Sequence, residues 1–476
     1  MKVAFVFFAL LAALTLATAQ EATDPAFEPP MSQPGSDSQV RWNGTLGMVI
    51  MNGKVYQQFG LRPDIPFGKF GVGLDLTFRF DADGNFKKDE WNTGRAYVEK
   101  IYYVRYGQPG DPFYARAGAL DNVTLGYGMI MRRYSNTIQY PEVKRIGFYT
   151  EGGVDGYSWQ AMLNSVSELD QPGLMAARLS YDTGLQGLTV GATVAHDGNQ
   201  FAGLTDKDHD GVPDRLDLFP NRNDFRIRDQ LLSSFHNDTT TRDYLIDNGF
   251  LPDFRKAPVS YNDIKESVTE FGADAGFPLV KGSKFSVWTY AQIAKIARHG
   301  WGWSFPGARM QVGPLTLSGE YRQYGKEFRG EFFNFTYELE RAQLQGDSLF
   351  ITKEKALNNL GSAKGFFGDA LISIQTFGYL YGWYEDMHGA QYHDGKTLYG
   401  ELGVTPPQVT RMQKLTGYYM QPNVHTLLNR VTEGTIYGAK LYFALARNVS
   451  LVYDHRITYY NGQNHRTVRV ETMVSF

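Results

Sequence analysis

The chain contains no cysteine in 476 residues, which excludes disulfides and thiolate metal sites. It also lacks a dominant charge. The 47 Lys and Arg face 50 Asp and Glu, and a formal net charge of -3 argues against a nucleic-acid binder. After residue 19 no apolar run approaches the roughly 18–20 residues that a membrane-crossing helix requires. No Ser stands in a Gly-x-Ser-x-Gly elbow. Nine His are scattered, including His388, His393, His425, His455 and His465, and isolated loop histidines are surface residues more often than catalysts. An enzyme is not expected.

What is present begins with an export signal. Met1-Lys2 is followed by an apolar run from Val3 to Leu16 and the small-x-small site Ala17-Thr18-Ala19. Residues 1–19 therefore read as a signal peptide, and the absence of a following Cys excludes a lipid-anchored lipoprotein. Residues 20–40, rich in Pro, Ser and acidic side chains without periodicity, read as a disordered lead-in. An exported chain without an anchor helix is either soluble outside the cytoplasm or a β-barrel. Aromatics at 14%, 51 Gly and a mean hydropathy of -0.36 favour the barrel. Alternating strands average to mildly polar, and aromatic girdles and bends consume Tyr, Phe and Gly.

Period-2 patterning recurs over about 9–11 residues, the length a tilted strand needs to cross a bilayer. Val72, Leu74, Leu76, Phe78 and Phe80 oppose Gly71, Gly73, Asp75, Thr77 and Arg79. Similar segments lie at 188–194, 285–293, 315–322, 437–445 and 451–459, while 96–106 is strand-like with mixed faces. A secreted β-sandwich would also alternate, so the ends must decide. In the last ten residues Val468, Val470, Thr472, Val474 and Phe476 share one face, and Thr467, Arg469, Glu471, Met473 and Ser475 share the other. This strand with its terminal Phe476 resembles the closing strand of a bacterial outer-membrane β-barrel. The resemblance implies that Phe476 is the signal read by the barrel assembly machinery, and that the location is the outer membrane of a Gram-negative-type bacterium.

The expected fold is all-β: a transmembrane antiparallel barrel over 41–476, of about 16–18 strands with long extracellular loops. Connections near 107–111, 152–155, 182–186, 278–283 and 311–314 are short, and those at 81–95, 121–144 and 197–264 are long. This is the inner-turn, outer-loop asymmetry of bacterial barrels. Residues 387–432 are expected to hold two strands, around 397–404 and 410–420. Parity is lost between 325 and 375, where Gly330 to Leu339 reads as a strand and Thr352 to Leu360 as a short helix. The charged faces put Asp75, Arg79, Glu320, Arg322, Lys440, Asp454, Arg456, Arg469 and Glu471 on the pore lining. At this strand count the lumen exceeds what side chains can close, so water is expected unless a loop plugs it.

Two loop motifs carry chemistry. Asp206-Lys-Asp208-His-Asp210-Gly211-Val212-Pro-Asp214-Arg-Leu-Asp217 places carboxylates at positions 1, 3, 5, 9 and 12, a Gly at 6 for the turn, and the Val212 carbonyl at 7. Hard oxygen ligands at this spacing can wrap one Ca²⁺. With Leu-Phe-Pro-Asn following, the segment resembles a single thrombospondin type-3 calcium repeat. The bland alternative is a solvated acidic loop. Asp81-Ala-Asp83-Gly84-Asn85 lacks the remaining ligands and reads as a turn. Arg132, Arg133, Lys144 and Arg145 cluster with Tyr134 and Tyr140 on one outer loop. The plain reading is a solvated basic loop. The functional one is a loop folded into the lumen that offers cations to anionic solutes or lipopolysaccharide phosphate.

Together these readings point to a porin-like channel for passive passage of small solutes, with a calcium-stabilised loop. Outer-membrane lipid and lipopolysaccharide are the expected surroundings, and an oligomer is compatible with the pattern. The alternative is an adhesin or membrane anchor that uses the barrel as a scaffold.

Overall fold

The computed structural model describes residues 40–475 apart from 52–53, 93, 141–142, 167–172, 205, 207–209, 214–215, 220–221, 262–263, 346–348, 375–376, 408–410, 429–430 and 461. The signal peptide, nearly all of the lead-in and Phe476 lie outside the described residues.

Alternation becomes twenty barrel strands. The first four are β1 (Arg41–Met51), β2 (Lys54–Phe67), β3 (Phe70–Leu74, continued beyond Asp75 as Leu76–Phe80) and β4 (Ile101–Tyr106). Then come β5 (Phe113–Gly118), β6 (Gly147–Val154), β7 (Tyr157–Leu163), β8 (Leu174–Asp182) and β9 (Thr189–Asp197). The long wall continues with β10 (Val268–Val280), β11 (Phe285–Ile296), β12 (Trp301–Val312) and β13 (Leu315–Tyr324). The last seven are β14 (Ala363–Ile374), β15 (Gly378–His388), β16 (Lys396–Val404), β17 (Met412–Val424), β18 (Ile436–Ala446), β19 (Val449–Tyr460) and β20 (Gln463–Ser475). Each pairs antiparallel with its sequence neighbours, and β1 pairs with both β2 and β20, with Thr45 opposite Met473 and Gly47 opposite Glu471. The sheet has no free edge, so every ladder can satisfy its main-chain donors and acceptors without water.

Which face is apolar identifies the solvent. Adjacent Phe366 and Phe367 on β14 are 68% and 2% exposed. Val190 and Val194 point out on β9 while Thr193 is buried. On β3 Asp75, Thr77 and Arg79 are buried. Apolar side chains thus face outward and charges face inward, the inverse of a water-soluble sandwich and the pattern of a barrel in lipid. Trp303, Tyr321 and Phe366 form an outward aromatic row across β12–β14, with centroids 5.9 and 5.5 Å apart. Among the described residues no helix is long and apolar enough to cross a membrane.

The strand count is higher than the expected 16–18, because β1, β2 and several short strands between 113 and 182 lack a clean alternating signal. The two strands expected within 387–432 are β16 and β17. Connections alternate as anticipated: turns such as 155–156, 313–314 and 447–448 at one end, and loops 81–100, 119–146, 198–267 and 325–362 at the other. The loop 198–267 carries helices Asp224–Ser234 and Thr239–Asp247, N-capped by Asn223 and Asp238. Residues 96–106 had mixed faces because a short helix, Gly94–Val98, precedes β4.

Gly330 to Leu339 is not a strand of the barrel. It turns into the lumen, where Phe332, Phe333 and Phe335 are all buried, so both faces are covered and alternation carries no orientation. Tyr337–Glu340 forms a short helical turn, and within 352–360 only Lys355–Leu357 is helical.

Candidate functional site

Two loops of the long-loop end, 119–146 and 325–362, fold back inside the barrel and bind each other through main chain. Glu331 N donates to Met129 O (2.6 Å), Phe333 N to Ile130 O (3.1 Å), and Arg132 N to Phe333 O (3.2 Å). Leu125, Met129, Met131 and Tyr134 of one loop pack with Phe328, Phe332, Phe333 and Tyr337 of the other. This cluster meets the inward side chains Met162, Leu174, Ala195, Ile296 and Met387. Ile138, Phe335 and Leu339 pack on Phe367, Tyr381, Trp383 and Tyr399 of β14–β16. The close approach requires small residues in the wall: at Gly276 on β10 an added Cβ would collide with the hydroxyl of Tyr127.

The loops bring cations to inward carboxylates. Arg132 pairs with Glu331 (2.8 Å), Asp369 (3.4 Å) and Glu320 (3.7 Å). Arg322 pairs with Glu320 (2.9 Å), Glu331 (3.0 Å) and Glu385 (2.9 Å). Both guanidinium groups lie on the ring of Phe367, at 4.3 and 3.9 Å. Arg133 reaches Glu401 (2.6 Å) beside Tyr381 and Tyr399. Lys144 reaches Asp75 (3.5 Å), which also binds Arg62 (3.2 Å) and the Tyr140 hydroxyl. Arg145 and Arg341 converge on Glu338 at 3.4 and 3.0 Å, and Arg341 also meets Asp197 (3.0 Å). Burial pushes the Glu338 carboxyl up, but the two guanidinium groups outweigh it and hold it down at about 2. Burial raises Glu331 against the opposing pull of Arg132 and Arg322.

The basic cluster is therefore not a solvated loop. Arg132, Arg133 and Arg145 are buried because the lumen supplies carboxylates that the linear sequence separates by up to two hundred residues or more. The pore-lining candidates Asp75, Arg79, Glu320, Arg322, Lys440, Asp454, Arg456, Arg469 and Glu471 sit on inward faces, tied into pairs such as Arg79–Glu90 (2.8 Å), Arg469–Asp454 (2.5 Å) and Arg62–Glu471 (3.2 Å). Arg456 donates to the Tyr140 carbonyl, so it too holds the loop 119–146. Glu385 and Glu401 went unrecognised although their period-2 neighbours Trp383 and Tyr399 share the same inward face. Glu331 and Glu338 had no pattern to reveal them.

Between the loops and the short-turn end lies a cavity of about 810 Å³. Arg116, Tyr127, Gln160, Arg309 and Thr316 line it, and Arg132 and Arg133 reach it from the loop side. A second cavity of about 600 Å³, on the long-loop side, is lined by Arg329, Lys353, His425 and Glu433 among others.

In the acidic loop, Asp208 and Asp214 lie outside the described residues. Asp206 accepts from Gly211 N (2.7 Å) and Asp210 from Val212 N (2.8 Å) and Asp224 N (2.5 Å), while Asp217 accepts from Phe219 N (2.6 Å). Asp224 is a further buried carboxylate in the fold of this loop, accepting from Leu218 N and Phe219 N. Among the described residues no three metal-binding side chains are gathered at one point.

No family model and no curated protein matches the chain. Among solved structures it is similar to the outer membrane protein opdK from Pseudomonas aeruginosa, at 10% identity over 92% of this chain and 98% of that one, with a TM-score of 0.31. It is similar to OprD from the same organism, at 9% identity over 92% and 95%, TM-score 0.32. A BenF-like porin from Pseudomonas fluorescens Pf-5 matches at 7% identity over 93% and 100%, TM-score 0.31. The barrel itself rests on the closed ladder of β1–β20, not on these likenesses.

Proposed function

We propose that the protein is a porin-like outer-membrane channel for small solutes, passive and not enzymatic. The observation that carries this reading is the lumen: a charged, polar interior enclosed by an apolar exterior, with two inward loops packed across it and a cavity on either side of them. Solute would enter from the long-loop side and leave through the cavity beneath Arg133, with the buried Arg132–Glu331–Arg322 cluster shifting to let it pass. Outer-membrane lipid and lipopolysaccharide surround the barrel in this reading, and the assembly machinery reads its C-terminal strand. Single-channel recording in a planar bilayer tests it. Ohmic steps support a channel, and silence with intact barrels favours the adhesin or anchor alternative.

We further propose that the 198–267 loop binds one Ca²⁺ through Asp206, Asp208, Asp210, Asp214 and Asp217 and the Val212 carbonyl. The support is the donor set, all hard oxygens at repeat spacing, and Gly211, whose φ of +94° provides the tight turn at the sixth position.

A further inference from the structure

The ion pairs that fasten the lumen loop 325–362 to its surroundings mostly join a permanent cation to a carboxylate: Arg341–Asp197, Arg145–Glu338, Lys355–Glu266. One contact differs in kind. His299, in the outer turn between β11 and β12, presents both ring nitrogens to carboxylates of that loop. Nδ1 lies 3.1 Å from Glu327 and Nε2 lies 2.7 Å from Glu354. The imidazole is 8% exposed, Glu354 11% and Glu327 39%. Main chain holds the two partners in place: Gly300 N donates to Glu327 O (3.2 Å), and Glu354 N donates to the Gln200 side chain (3.1 Å).

A neutral imidazole has one N–H and one lone pair. Between two carboxylates it satisfies one and turns its lone pair on the other, whereas an imidazolium donates to both. The observed geometry therefore suits the charged ring. We propose that His299 is a pH-sensitive latch on the lumen loop: the imidazolium clamps Glu327 and Glu354 and keeps the loop docked, and its deprotonation frees one arm and loosens the loop. Combined with the porin-like reading, the channel is then more restricted in acid and freer above neutrality.

Among the described residues, further charged groups on the elements around the ring are Lys295, which donates to the His299 carbonyl, Arg298, which donates to Ser267 O, Lys355 with its partner Glu266, Lys353 with its partner Glu340, and Glu270, buried opposite Ile296 on β10. An imidazole changes charge between about pH 5 and 8, and the His299→Gln background separates its contribution from that of the buried carboxyls Glu270 and Glu331.

The test uses the absence of native Cys. Leu357→Cys places a thiol at a buried loop position, and Asn358→Cys places one beside it at an exposed position. The ratio of their maleimide labelling rates is measured in the full-length folded barrel, and the His299→Gln background accounts for the different response of buried and exposed thiols to pH. We expect this ratio to rise about tenfold from pH 5.5 to 8, the scale of losing one charge-assisted hydrogen bond. In a His299→Gln background it should be high at both pH values. A flat wild-type ratio, or a pH response that survives His299→Gln, overturns the latch. If His299→Gln fails to give the folded barrel, Glu354→Gln serves, and should raise the ratio at pH 5.5. Bilayer recording separates the two proposals: labelling that follows pH without current at any pH keeps the latch and removes the channel.

Discussion

Glu338→Gln isolates what holds the lumen loops in place. The carboxylate receives Arg341 at 3.0 Å, Arg145 at 3.4 Å, the Tyr134 hydroxyl at 2.5 Å and Asn164 at 3.2 Å, so it joins the two loops and the end of β7 at one point. Glutamine keeps the shape but removes the charge. Two guanidinium groups then share Asp197 and the Gln139 side chain, both buried. Breaking a buried pair from one side costs about 3–5 kcal/mol. The pH argument gives the same scale. A carboxyl held at about 2 against an ordinary 4.5 is a difference of roughly 2.5 units, or about 3 kcal/mol. The sign follows from the depressed value: this contribution is complete above about pH 4.5 and is lost as pH falls toward 2. The barrel ladders do not use Glu338, so heat-modifiable mobility on gels should be unchanged while residues 325–362 become cleavable by added protease. Below neutrality, wild type should show the same loop release only in strong acid. If the variant barrel folds and the loop resists protease as well as wild type at pH 7, Glu338 is not the fastening point argued here.

Three further outcomes are expected. Single cysteines within 198–267 should label on intact cells and those at 183–188 should not; the opposite result would invert the orientation. Arg322→Gln leaves Glu320 and Glu331 with Arg132 and Glu385 with the Tyr324 hydroxyl, and with Arg456→Gln should shift reversal potentials toward cations, whereas an unchanged potential would count against conduction past these residues. Calcium should protect 198–267 from protease with a dissociation constant on the order of 10⁻⁴–10⁻³ M, and Asp210→Ala or Gly211→Val should remove the protection without altering the barrel; equal cleavage in calcium and chelator would leave only a solvated acidic loop.

The wall was legible because lipid imposes a rule on every second residue. Val190 and Val194 against Thr193, or Phe78 against Thr77 and Arg79, announce their faces without knowledge of any neighbour. The same rule explains the inward placement of Glu320, Arg322 and Glu471. It fails where a segment is covered on all sides. Phe332 and Phe333 are buried together, so the sequence between 325 and 375 offered a false strand. The partners of Arg132 and Arg133 were illegible for a different reason: Asp369 and Glu401 come near them only through the curvature of a closed sheet, and Glu331 only through the infolding of a second loop, neither of which a local pattern encodes. The strand total was low because short strands such as β5 and β7 have too few residues to show a period.

The main-chain bonds between the two lumen loops have a consequence for the order of assembly. Met131 and Phe333 are about two hundred residues apart, and an open chain would bring them together only at a large cost in loop entropy. Once β6 to β13 stand side by side, the roots of both loops are already fixed across the ring, and the remaining search is short. The lumen loops should thus dock last, into a wall that has already formed. A nascent barrel would pass through a hollow stage, wider and leakier than the finished one, and substitutions that weaken the docking would prolong that stage without preventing insertion.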